Sequence, residues 1–208
     1  MQTWFTSDLH LGHNNIIRYC ARPFSSVDEM DEALVQRWNE TVADEDRIWV
    51  LGDFALGDIG ASLALTSTLR GRKILLAGNH DRCWAGTGKK THEWTERYLE
   101  AGFDEVLQGE QTMSIVGEQV RLCHFPYEGD SHDHDRFVGN RPIDDGGWLL
   151  HGHVHERWRQ RQRMINVGVD VNDFCPVSID EIAQMIAAGP VSPATGPSVS
   201  SLAGHLIS

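Results

Sequence analysis

Lys73-Ile74-Leu75-Leu76-Ala77-Gly78-Asn79-His80-Asp81 runs from a continuous apolar segment straight into an amide, an imidazole and a carboxylate. An apolar run of strand length without polar alternation predicts a strand buried on both faces, and Gly78 ends it. The same change from strand to polar loop recurs along the chain. Thr3 to Thr6 leads into Asp8-Leu9-His10, and Ile48 to Leu51 leads into Gly52-Asp53. Gln119 to Cys123 leads into His124, and Trp148 to Leu150 into His151-Gly152-His153-Val154-His155. Ligands bind at the strand ends of α/β sheets, so these five loops are expected to converge on one site.

Between the strands the periodicity turns helical. Met30 to Val42 places Leu34, Val35, Trp38 and Val42 near helical spacing, and Ile59 to Leu69 and Thr91 to Ala101 read the same way. Val106 to Leu107, Thr112 to Val116 and Gln119 to Cys123 predict a meander, with Met164 to Val167 a further strand. Ser178 followed by Glu181 forms a capping box that opens a last helix through Ala188. The expectation is one α/β domain over 1–188 and a flexible tail over 189–208, where Gly, Pro, Ser and Ala dominate.

The 208 residues carry a net charge of −12, which argues against a broad nucleic-acid surface. A phosphate substrate remains compatible, because bound cations invert the local field. No apolar run is long enough to span a bilayer, and the first residues lack a basic, apolar leader. Cys20, Cys83, Cys123 and Cys175 stand far apart, which suits a reducing cytoplasm rather than a disulfide framework.

Taken singly, most of these residues have ordinary readings. Asp-x-His triplets are commonly solvated loops, an Asp after Gly commonly caps a turn, and a lone His124 is commonly a packed histidine. Asn79-His80-Asp81 alone reads first as a turn. His153 and His155 differ, since alternate histidines beside Gly152 offer imidazoles to one locus. His132 and His134, in Asp-Ser-His-Asp-His-Asp, read as an exposed loop. Together the set holds oxygen and nitrogen donors with no thiolate, which suits Mn, Fe, Zn, Co or Ni. Seven ligands exceed one tetrahedral ion and suit two ions that share a carboxylate.

In order, DLH (8–10), GD (52–53), GNHD (78–81), His124 and GHVH (152–155) resemble the signature blocks of the calcineurin-like metallophosphoesterase superfamily. The surrounding DLHLGHNNII, RPF, LGDF and NVGVDV resemble its compact bacterial or phage-type branch. The resemblance implies a four-layer α-β-β-α sandwich. It implies that Asp8, His10 and His155 hold one divalent ion, that Asn79, His124 and His153 hold the other, and that Asp53 bridges them. His80 would face the phosphate as the catalytic histidine, while His151 falls outside the pattern as a supporting residue. The implied activity is hydrolysis of phosphate esters by a metal-bridging hydroxide, with Mn the expected ion in vitro.

One departure stands out. The position three residues after the bridging Asp, where the superfamily often carries an Asp that orients the GNHD histidine, is Leu56. Asp81 and Asp58 are the remaining candidates for that role. A catalytically silent scaffold on the same fold would show lost ligands, and none is lost here. A β-lactamase-like hydrolase would need an HxHxDH block, which is absent, and an amidohydrolase a longer barrel. The lack of an evident cap favours phosphodiesters or nucleotides as substrates. Arg18, Arg22, Arg82 and Tyr127 lie near the motifs but read first as surface residues.

Overall fold

The computed structural model describes residues 1–88 and 90–192, and it is a mixed α/β fold of two five-stranded sheets and five helices. Most of the tail expected over 189–208 lies outside the described residues. In the first sheet β1 (Thr3–Thr6), β2 (Arg47–Val50), β3 (Arg72–Leu76) and β4 (Glu105–Leu107) run parallel in that order. The short β10 (Val177–Ser178) pairs antiparallel on the outer edge of β1. The crossovers carry α1 (Asn14–Tyr19), α2 (Val27–Thr41), α3 (Ile59–Ala64) and α4 (Thr91–Ala101).

The second sheet orders its strands β5 (Glu110–Ile115), β6 (Glu118–Cys123), β7 (Trp148–His151), β9 (Met164–Asn166) and β8 (Gln160–Arg161). β6, β7 and β9 are parallel, so His124 and the Gly152–His155 loop leave the same end of this sheet. α5 (Ile179–Ala188) follows β10, with the Ser178 hydroxyl accepting the Glu181 N–H as the capping box requires.

Alternation along β2 explains how the layers stack. Ile48 and Val50 join one core with Met30, Leu34 and Trp38 of α2 and Tyr98 of α4. Trp49 and Leu51 face the other way, into a core shared with Leu122, Leu150 and Ile165 of the second sheet. A strand buried on both faces has no reason to alternate polar and apolar residues, which is why it reads as one apolar run. No described helix is long and apolar enough to cross a membrane.

The helix limits depart from the sequence reading in two places. α2 begins earlier than Met30, because the Ser26 hydroxyl accepts the Glu29 N–H and starts the helix at Val27. The segment expected as one helix over Ile59 to Leu69 tightens into a 3₁₀ turn from Leu65 to Thr68.

Candidate metal centre

The loops after β1, β2, β3, β6 and β7 meet at one end of the paired sheets, where main-chain bonds tie the β1 loop to the β2 loop and the β6 loop to the β7 loop. Asp8 N–H donates to Gly52 O at 3.0 Å, His10 N–H to Asp53 O at 3.0 Å, and Gly152 N–H to His124 O at 3.1 Å. The approach is too close for side chains at Gly52, Gly78 and Gly152. A Cβ on Gly52 would lie 2.5 Å from His124 Nδ1, and one on Gly152 only 1.9 Å from Ser7 Oγ. The local backbone is also strained. Asp8, His10, Asp53, His153 and His155 all take positive φ, which costs a non-glycine residue about 1–3 kcal/mol and clusters at functional sites.

Of the three groups of donor atoms whose members lie within 4.8 Å of one another among the described residues, one sets Cys20 and Asp170 beside His155, and two hold Asp and His alone: Asp8, His10 and His155, and Asp8, Asp53 and His124. All five residues of the latter two are buried. Asp53 Oδ2 stands between the two sets, 3.7 Å from His10 Nε2 and 3.5 Å from His124 Nε2. Asp8, rather than Asp53, is the residue common to both groups, which the sequence reading did not foresee. Asn79 Oδ1 lies 3.0 Å from His124 Nε2, and the His153 ring meets the His124 ring edge-on at 5.2 Å. His151 stays apart, its Nδ1 held on Gly152 O at 2.7 Å.

Two features fit these residues to cations. Both ring nitrogens of His10 are buried without any hydrogen-bond partner, and its ring stacks on His155 at 5.0 Å. An imidazole left so among carboxylates is costly unless an ion takes its lone pair. His124 Nδ1 donates to Leu51 O at 2.8 Å, so in the neutral ring Nε2 is bare and faces the oxygens of Asn79 and Asp53. Lone pairs that converge with no proton between them suit a metal ion.

The electrostatics follow from burial. Desolvation raises the Asp8 carboxyl and pushes His10 well below its ordinary value. Burial works against ionisation of Asp53 as well. The imidazoles of His124, His80 and His10 and the His80 N–H nevertheless hold its carboxyl well below the usual range.

Surrounding residues hold these donor-bearing loops in place. Arg22 is buried, against the surface role expected for it. Its Nε donates to Asp170 at 2.7 Å, while its two terminal nitrogens donate to Leu9 O at 2.9 Å and Asp8 O at 2.7 Å. Asp170 in turn faces His155 Nδ1 at 3.2 Å. The charge of Arg22 thus clamps the Asp8–His10 loop and orients His155 through one carboxylate. Sequence reasoning noted NVGVDV without giving Asp170 a role.

His80 is exposed, and its N–H donates to Asp53 Oδ1 at 2.8 Å. Its ring sits edge-on to His10 at 5.4 Å and lines a cleft of about 390 Å³ with His13, Tyr19, His132, Arg136 and His155. Neither candidate carboxylate reaches that ring. Asp58 caps α3 through the Gly60 and Ala61 N–H groups. Asp81 accepts the N–H groups of Asp53, Phe54 and Gly78 and the Tyr98 hydroxyl. Leu56 is half-buried and does not line the cleft. His13, which no motif singled out, does. Arg18 lies exposed over the Tyr19 ring, Arg82 is exposed beside Trp94, and Tyr127 holds Arg121 away from the cleft.

No family model matches the chain. The Gene 66 protein of Mycobacterium phage L5 is 35% identical over 199 residues, covering 88% of this chain and 93% of that protein. The chain belongs to the Gene 66 protein family. An uncharacterized protein of Methanocaldococcus jannaschii, MJ1445, is 30% identical to this family member over 197 residues, 90% of this chain and 93% of its own. A solved Aquifex aeolicus protein of unknown function, AQ665, has 26% identity and a TM-score of 0.66 over 88% of this chain and 98% of that one. A solved archaeal phosphodiesterase is more distant, at 16% identity and a TM-score of 0.44 over 82% of this chain and 84% of that one. That likeness is too loose to bear on what the Gene 66 family does.

Proposed function

We propose that this protein is a metal-dependent phosphoesterase of the calcineurin-like type, with the four-layer architecture of that superfamily and two divalent transition ions at the strand-end loops. The observation that carries the reading is His10, a buried imidazole with both nitrogens unpaired, facing two buried carboxylates. On this reading Asp8, His10 and His155 hold one ion, Asn79, His124 and His153 the other, and Asp53 both. When bound, the ions supply Lewis acidity and neutralise phosphoryl charge. Two such ions outweigh Asp8 and Asp53, so an acidic protein still admits an anionic substrate.

The remaining steps belong to the chain. Hydrolysis breaks a P–O bond in line with the attacking water, and the departing oxygen needs a proton. His80 projects into the cleft beside the ligands and is placed to supply it. The open cleft favours phosphodiesters and nucleotides over a substrate that must be enclosed. Four unpaired cysteines suit action in the cytoplasm.

The test is hydrolysis of bis-p-nitrophenyl phosphate, p-nitrophenyl phosphate and cyclic nucleotides with Mn²⁺ supplied. Turnover that chelation abolishes and Mn²⁺ restores is expected. No turnover of any ester by a protein carrying both ions would overturn the reading.

A further inference from the structure

The segment Asp130-Ser131-His132-Asp133-His134-Asp135 reads in the sequence as an exposed loop, and His132 to Asp135 are indeed exposed. Asp130 is not. Its side chain is 0% exposed, with each carboxylate oxygen occupied. Oδ1 accepts Arg136 Nε at 3.0 Å, Arg136 terminal N–H at 2.7 Å and His132 N–H at 3.0 Å. Oδ2 accepts Arg136 N–H at 2.9 Å and meets His153 Nε2 at 3.1 Å.

The last contact fixes the histidine. A carboxylate surrounded by donors cannot itself offer a proton, so His153 Nε2 must carry the hydrogen and Nδ1 is left bare. The ring has few other places to go. It packs between Phe125 at 5.1 Å and Phe137 at 5.6 Å, and the His153 backbone N–H is anchored on Asp8 at 3.0 Å.

We propose that Asp130 is a positioning residue of the metal centre, holding His153 as the Nε2–H tautomer so that Nδ1 is the atom presented to the cation. The proposal rests on the metal-centre reading above. Partners of this kind set the tautomer and basicity of a ligating imidazole, and their removal typically weakens metal binding about 10–100-fold. Arg136 braces the carboxylate and also lines the substrate cleft, so one residue ties the cleft wall to the ion site.

The test begins without metal, by ¹⁵N NMR of the imidazoles in the full chain, with His153 assigned by His153→Gln. The wild type is expected to show Nε2–H, and a His153 protonated on Nδ1 overturns the proposal whether or not any variant folds. Asp130→Ala should lose the tautomer preference and bind Mn²⁺ about 10–100-fold more weakly in chelator competition. Unchanged Mn²⁺ affinity in that variant overturns it too. Arg136→Ala loosens the loop but leaves His153 its acceptor, so its tautomer should persist and its Mn²⁺ affinity fall less. An equal loss in Arg136→Ala would show loop anchoring alone and likewise overturn the assignment. Absence of Mn²⁺ binding by a wild type with the Nε2–H tautomer intact would instead count against the metal centre.

Discussion

The Asp81 carboxylate accepts the Asp53 backbone N–H at 2.8 Å, so the loop after β3 holds the loop after β2 from beneath. Asp81 is fully buried and also takes Gly78 N–H, Phe54 N–H and the Tyr98 hydroxyl. Burial and the neighbouring Asp53 charge push it up to about 7. Asp81→Asn would turn an amide nitrogen toward donors in either orientation. A loss of about 2–3 kcal/mol in urea unfolding of the metal-free protein is expected. A stable Asp81→Asn protein would mean the clamp matters little.

Arg22 tests the second clamp. Removing one partner of a buried ion pair typically costs about 3–5 kcal/mol, since the other charge is left without compensation. Arg22→Ala should lose that much, because Asp170, Asp8 O and Leu9 O all lose their donor. A double-mutant cycle with Asp170→Asn should show strong coupling, and additive effects would contradict the clamp.

These two clamps mark where the sequence stops being readable. The ligand loops stand out because an apolar strand followed by Gly and a donor is a local pattern. Arg22 bonds a residue 148 positions away, and Asp130 one 23 positions away, so their burial cannot be read locally. Asp81, beside Asn79 and His80, reads as a candidate carboxylate partner for the His80 ring but faces the main chain and the Tyr98 hydroxyl instead. α1 escaped notice because its six residues, Asn14–Tyr19, follow an N-cap His13 that makes no side-chain cap and show too little periodicity. The two-residue strands β8 and β10 exist only through their partners.

Asp31 offers a test by pH. Burial pushes its carboxyl up to about 6, although the Gly12 N–H, shared by both oxygens at 2.9 and 3.1 Å, pulls the other way. A folded acid with a raised pKa binds more protons than the unfolded chain between its two values. Its contribution to stability therefore falls as pH rises from about 4 to about 6, then levels. Asp31→Asn keeps an acceptor for Gly12 and should remove that part of the decline. Parallel stability profiles for the two proteins would show that Asp31 is not shifted.

His80 separates chemistry from metal binding. His80→Ala should keep the metal content and lower kcat by about 10²–10⁴. The loss should be smaller for p-nitrophenyl esters, whose leaving group needs little protonation, than for alkyl esters. Equal losses for both would leave His80 a phosphate-binding residue and no proton donor.

The most direct measurement counts ions. Elemental analysis of the purified chain after Mn²⁺ loading and removal of free metal should give two Mn per chain. Asp53→Ala should hold fewer, because Asp53 Oδ2 is the atom that reaches both His10 and His124. One Mn or none in the wild type, or two in Asp53→Ala, would contradict the shared-carboxylate centre.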